Sequence, residues 1–101
     1  MKLQIRVVGP RVHEVGYRLH LLDLAIQYDI DRFSVNRVIE NGKQVVIVRV
    51  EGSNDQLQDY LEDAENNIPT GAEVVDIEHE PFQEYVGPTI AAAWALISKD
   101  T

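Results

Sequence analysis

The chain has 101 residues and a mass of 11.4 kDa, room for one hydrophobic core, and its 45% hydrophobic and 26% charged residues exclude a disordered acidic tail. Nine Lys and Arg against 17 Asp and Glu give a formal charge of -8, which repels polyphosphate backbones and anionic bilayers and so argues against nucleic-acid and membrane-surface binding. The lack of cysteine removes disulfide frameworks, thiol nucleophiles, iron–sulfur ligation and CxxC metal carriers together.

MKLQIRVVG alternates apolar with polar residues and lacks the apolar core of a secretory signal, and the apolar run at residues 90–97 is well short of the roughly 20 residues of a membrane span. A cytoplasmic location is the expectation. In that first segment Leu3, Ile5 and Val7 alternate with Gln4 and Arg6, the period of a half-buried strand, and Gly9-Pro10 ends it. Across residues 19–30, Leu21, Leu22, Ala25 and Tyr28 recur at helical spacing and predict a helix lying on a sheet, with Gly16 at its start. From residue 33 to residue 50 β-branched residues dominate, interrupted by Asn41-Gly42, whose two residues both tolerate positive φ and predict a hairpin.

Ser53 and Gln56 have the spacing of a capping box, and Leu57, Leu61, Ala64 and Ile68 then form one stripe of a second helix. Asp55, Asp59, Glu62, Asp63 and Glu65 read as its solvated face. Pro69-Thr70-Gly71 closes that helix, Val74, Val75 and Ile77 lead into a strand ending near Pro81, and Phe82 with Tyr85 predicts one more edge strand. Residues 88–98 put Pro88 at a first helical position and Ile90, Ala93, Trp94 and Ile97 on one side. That stripe should cover the sheet or a subunit interface, and the latter leaves a homodimer open.

The order is βαββαβ plus a helix, which defines an α+β domain of the split-βαβ, ferredoxin-like type: an α/β sandwich with an added C-terminal helix. Residues 1–87 form the domain and residues 88–101 its helical extension. Many functions occupy such a fold, so a site must decide among them.

The segment GPRVHEVGYR, residues 9–18, joins the first strand to the first helix. Loops of this kind present successive backbone N–H groups, with a positive helix dipole behind them, and so form an anion cradle. Arg18 falls in the first helical turn, where a cation opposes the dipole unless an anion lies between. On these grounds alone Arg18 fits a surface arginine as well as an anion ligand.

VHEVGYR resembles the acylphosphatase signature G-x-V-Q-G-V-G-[FY]-R, matched by Val12, Val15, Gly16, Tyr17 and Arg18. The likeness continues with Ala25, with Phe33 where the family carries Trp, and with Asn36, eighteen positions after Arg18, where the family has its catalytic asparagine. Asn41-Gly42 resembles the family's Asp-Gly hairpin displaced by two residues, an even insertion that keeps side chains on their faces. Glu51-Gly52, Leu57, Tyr60, Leu61, Ala72 and Val74 extend the similarity over residues 3–85. The resemblance implies metal-free and cofactor-free hydrolysis of a small acyl phosphate to carboxylate and inorganic phosphate. It assigns phosphate binding to Val15, Gly16, Tyr17 and Arg18, and catalysis to Arg18 together with Asn36 as the residue orienting water.

Three residues depart from the signature: Pro10 at its first glycine, His13 at its glutamine and Glu14 at its second glycine. Glu14 adds a Cβ where positive φ is needed and a negative charge beside the anion. That departure keeps a second reading open, a non-catalytic anion- or small-ligand-binding regulatory module on the same fold. An RNA-recognition module would need strand aromatics and a basic surface, which this composition lacks. His13, His20 and His79 show no compact ligand spacing, so no metal is expected.

Overall fold

The structure, a computed structural model, describes residues 1–97. In chain order it contains β1 (Lys2–Gly9), α1 (Tyr17–Gln27), β2 (Arg32–Glu40), β3 (Lys43–Glu51), α2 (Asn54–Asn66), β4 (Asp76–Pro81) and α3 (Ile90–Ile97). The strands form one antiparallel sheet ordered β2-β3-β1-β4, so each β-α-β crossover leaves one strand between the two it connects.

Period-2 alternation decides what each face of the sheet carries. In β3, Val46, Val48 and Val50 are fully buried. Val46 is paired with Val7 and Arg37, Val48 with Ile5 and Val35, and Val50 with Leu3 and Phe33. These rows face the helices, where each fully buried Val, Ile or Phe contributes about 1.5–3 kcal/mol. The intervening rows, Arg6 with Ile47 and Asn36, and Gln4 with Arg49 and Ser34, lie on the face away from the helices. Polar pairing organises that second face: Arg6 donates to Glu40, Gln4 to Glu80, and Arg49 to Gln4.

α1 buries Leu21, Leu22, Leu24 and Ala25, and starts and stops earlier than the apolar spacing predicts. It stops early because Asp29 adopts φ 54 and the amides of Asp29 and Ile30 turn back to the carbonyls of Ile26 and Ala25. This left-handed cap leaves Ile30 to pack in the core instead of extending the helix. α2 opens with the predicted capping box, Ser53 Oγ accepting from the Gln56 amide at 3.2 Å and Gln56 Oε1 accepting from the Ser53 amide at 2.8 Å. Such a box contributes about 1 kcal/mol. Its buried stripe is Leu57, Tyr60 and Ala64; Ile68 falls beyond the last helical residue and is 39% exposed. Of the acidic residues on its outer side, Asp63 is engaged, accepting a hydrogen bond from the Tyr28 hydroxyl.

The edge strand predicted at Phe82 and Tyr85 does not form. After the Phe82 amide donates to Lys2 the chain leaves the sheet, Phe82 lies 4.4 Å beneath the Arg49 guanidinium, and Tyr85 is 71% exposed. The chain is instead carried across to the free edge of β2, where the Phe33 amide donates to Pro88 at 3.1 Å and Thr89 bridges Arg32. That contact covers an edge otherwise open to strand pairing. α3 begins two residues after Pro88, and the part of the predicted helix at Ser98 lies outside the described residues. Ala93 and Ile97 are buried by α3, but Trp94, predicted on the same stripe, is 45% exposed. A two-turn helix seated through the small Ala93 reaches the core along a narrow line, and Trp94, about 100° further round, lies at its margin.

Candidate active site

The strand-to-helix loop is pinned at one end and raised at the other. Gln44 Oε1 accepts from the amides of Val12 and His13 at 2.9 and 2.8 Å, and His13 Nε2 lies 3.0 Å from the Val45 carbonyl oxygen. The His13 ring is therefore occupied by the sheet. Beyond it Glu14 adopts φ 57 and Gly16 φ 74, with Val15 at negative φ between them. Alternation of this kind turns neighbouring N–H groups toward one point. Gly16 is the N-cap of α1 and supplies no side-chain hydrogen bond, and the first turn holds no acidic residue. Gly16 thus offers the positive end of the helix no side-chain acceptor, which favours an anion there.

A cleft of about 380 Å³ opens above these residues. Glu14, Gly16, Tyr17 and Arg18 line it from the loop and helix, and Arg37 lines it from β2. Among the described residues that line it, Arg18 and Arg37 are the cations and Glu14 is the carboxylate. At about 5 Å and an effective dielectric of about 20, unit charges act on one another with about 3 kcal/mol, so a cation such as Arg37 offsets Glu14 for an entering anion. Tyr17 is buried and, among the described residues, its hydroxyl has no hydrogen-bond partner. Burial pushes its pKa up to about 12, which keeps it a neutral phenol. Val15 does not line the cleft; its side chain packs against the core, leaving only its backbone to the loop.

Asn36, to which the family resemblance assigns the orienting of water, pairs with Ile47 in the row shared with Arg6, on the face turned from the helices, and is not among the residues that line the cleft. Adjacent strand residues point to opposite faces, so the next residue, Arg37, is the one brought to Arg18. Arg37 is the functional candidate that spacing missed. Its signal was present in the alternation Phe33-Ser34-Val35-Asn36-Arg37, since a core-facing Phe33 and Val35 oblige Arg37 to share their face.

Among the described residues no group of three or more His, Asp or Glu side chains is placed to hold a metal ion, and no helix is long and apolar enough to cross a membrane. His20 is held at the Asn67 carbonyl oxygen, 2.8 Å away, and His79 is exposed on β4.

A four-stranded antiparallel sheet with two crossover helices on one face, in the order βαββαβ with a C-terminal helix, places the molecule among ferredoxin-like α/β sandwiches. The family model described as Acylphosphatase matches residues 3–87, and the chain belongs to the acylphosphatase family. Among solved structures, an acylphosphatase from Bacillus subtilis aligns with a TM-score of 0.61 and 23% identity over 86% of this chain and 91% of that chain. Full-length HypF in a phosphate- and nucleotide-bound form aligns with a TM-score of 0.64 and 19% identity over 85% of this chain and 11% of that one. An acylphosphatase from Coxiella burnetii gives 0.58 and 17% over 85% and 87%. These likenesses show the shared fold. No curated protein sequence matches the chain significantly. α3 lies outside the residues that the family model matches.

Proposed function

We propose that the protein hydrolyses small acyl phosphates to a carboxylate and inorganic phosphate. Water attacks phosphorus in line, its oxygen forms the new P–O bond, the bond to the bridging oxygen breaks, and the carboxylate leaves with the electron pair. The proton of the attacking water passes to a phosphoryl oxygen, so no strong general base is needed. Backbone amides from Val15 to Arg18 and the Arg18 guanidinium hold the phosphoryl oxygens and offset the charge that builds on them. Arg37 adds a second cation from the opposite wall. Catalysis of this kind rests on positioning and electrostatics, which suits a cleft without a nucleophile–base pair. A cytoplasmic location and a small-molecule partner go with the proposal.

The observation that carries it is that Arg18 and Arg37 line one cleft with Gly16, the N-cap of α1, within a domain of the acylphosphatase family. Glu14 in the same cleft favours a second reading, in which the site binds an anion without turning it over. Release of inorganic phosphate from acetyl phosphate, with a phosphate monoester as control, separates the two. Release that depends on Arg18 supports the hydrolase, and phosphate binding without any release supports the binding module.

A further inference from the structure

Glu14 holds φ 57 without a glycine's freedom, directly after three residues that are each tied to another part of the fold. Arg11 bridges Glu73, whose amide donates to the Arg11 carbonyl at 2.8 Å. The amides of Val12 and His13 both donate to Gln44 Oε1, and the His13 ring lies against the Val45 carbonyl oxygen. Gln44 stands in β3 between Gly9 of β1 and Ile39 of β2, two residues from Val46, whose partner on β2 is Arg37. Period-2 alternation puts Gln44 and Arg37 on one face. The hairpin that brings Arg37 to the cleft therefore also grips the loop that carries Glu14.

We propose that Gln44 is a positioning residue for the cleft: its carboxamide oxygen holds residues 12–13 so that Glu14 takes the left-handed conformation, which in turn sets the backbone that follows to receive an anion. The inference rests on the anion-binding reading of the cleft and adds a residue that does not line it. A non-glycine residue at positive φ persists where its surroundings over-determine the backbone, and two successive amides held by one oxygen supply that constraint just before Glu14. Glutamine suits the task. Its carboxamide oxygen has two lone pairs for the two N–H groups, and being neutral it adds no further negative charge near the anion that Glu14 already opposes. Because Gln44 and the side chain at position 14 act on the same backbone angle, their substitutions are expected to couple rather than add. Glycine reaches that angle unaided, so a chain with glycine at position 14 needs the grip of Gln44 less.

The test is calorimetric titration with inorganic phosphate of the wild type, Gln44→Met, Glu14→Gly and the double variant. Methionine keeps the length of glutamine and gives up its strong acceptor. Gln44→Met is expected to weaken phosphate binding about tenfold in the wild-type background and about twofold in the Glu14→Gly background. The same loss in both backgrounds would make Gln44 a merely structural residue and overturn the proposal. Gln44→Glu keeps an acceptor for both amides, and at high salt, where its charge is screened, it is expected to bind phosphate within about threefold of wild type. A tenfold loss there would also overturn it. Should Gln44→Met fail to fold, the same cycle is read with Gln44→Asn, whose shorter side chain gives up the reach but keeps a polar group at this half-buried site. Unchanged phosphate affinity in the Gln44 variant, with the wild type binding normally, would overturn the role of Gln44 and leave the cleft standing. A wild type that binds no phosphate would remove the reading of the cleft and this inference together.

Discussion

Two arginines of one sheet, Arg6 in β1 and Arg37 in β2, are held in opposite ways. Arg6 makes two hydrogen bonds to Glu40 and lies 3.8 Å from Glu78 on the face away from the helices. The hydrogen bond to Glu40 is the main cause of its raised pKa. Arg37, on the other face, has no ion-pair partner among the described residues and lines a cleft that also holds Arg18. A guanidinium already committed to protein carboxylates has little left for a ligand. One whose carboxylate partners are absent from the sheet around it favours an anion from solution. The difference locates the site more sharply than the number of arginines does.

The strongest break in this comparison comes from Arg18. Arg18→Ala is expected to lower kcat/KM for acetyl phosphate by about a hundredfold, the usual scale for losing one charge-assisted contact to developing negative charge. Arg6→Ala, on the other face, should leave kcat/KM within about twofold. Comparable losses in the two variants would end the assignment of the site to the helix-side cleft.

Arg37 and Asn36 sharpen it next. Arg37→Ala is expected to weaken inorganic phosphate binding about tenfold, and Asn36→Ala to alter binding and turnover by less than about twofold. Loss of turnover in Asn36→Ala with binding intact would instead restore the asparagine role that the family resemblance implies.

Glu14→Gly gives a smaller effect. The loop already takes the left-handed conformation at Glu14, so glycine relieves strain and removes a charge but supplies no new backbone shape. A gain of about threefold to fivefold in phosphate affinity is expected, fading as salt rises. Relief of φ 57 should raise stability by about 0.5 kcal/mol, or roughly 2–4 °C in melting temperature. A fall in melting temperature would show that Glu14 makes contacts worth more than its backbone strain.

The smallest effect tests the other face by pH. Arg6 holds the Glu40 carboxyl below its ordinary 4.5, first through the hydrogen bond. A depressed carboxylate stabilises the fold above its unfolded pKa, and that contribution is lost as pH falls through the folded value. Glu40→Gln should therefore melt slightly below wild type at pH 7, and the gap should close as pH falls below the ordinary carboxylate range. Glu78 behaves oppositely, its pKa raised first by the hydrogen bond with Asp76, so the difference between variant and wild type is the quantity to follow. A gap independent of pH would mean the pair is structural packing rather than charge.

Much of the architecture was legible from local chemistry. The capping box at Ser53 and Gln56 and the turn at Asn41-Gly42, with φ 52 and 77, depend on residues within a few positions of one another, and both form. The strand-to-helix loop was legible for the same reason, since Gly16 and the start of α1 are adjacent in sequence. The end of α1 was less so, because Asp29 at positive φ is an uncommon choice where glycine is usual. The exposure of Trp94 followed from how closely α3 docks, which no residue of α3 decides alone.

By itself the sequence determined the element order, the turn and caps, and the presence of a strand-to-helix loop carrying Arg18, because each depends on backbone preferences and side chains close along the chain. Long-range packing settled which of Asn36 and Arg37 lines the cleft with Arg18, that Arg6 is tied to Glu40 while Arg37 has no ion-pair partner among the described residues, and that α3 closes an apolar groove beside the cleft. These depend on pairings between residues 34 or more positions apart or on a face of the sheet. There a shift of one residue exchanges the two sides, and spacing counted along the chain carries no record of it.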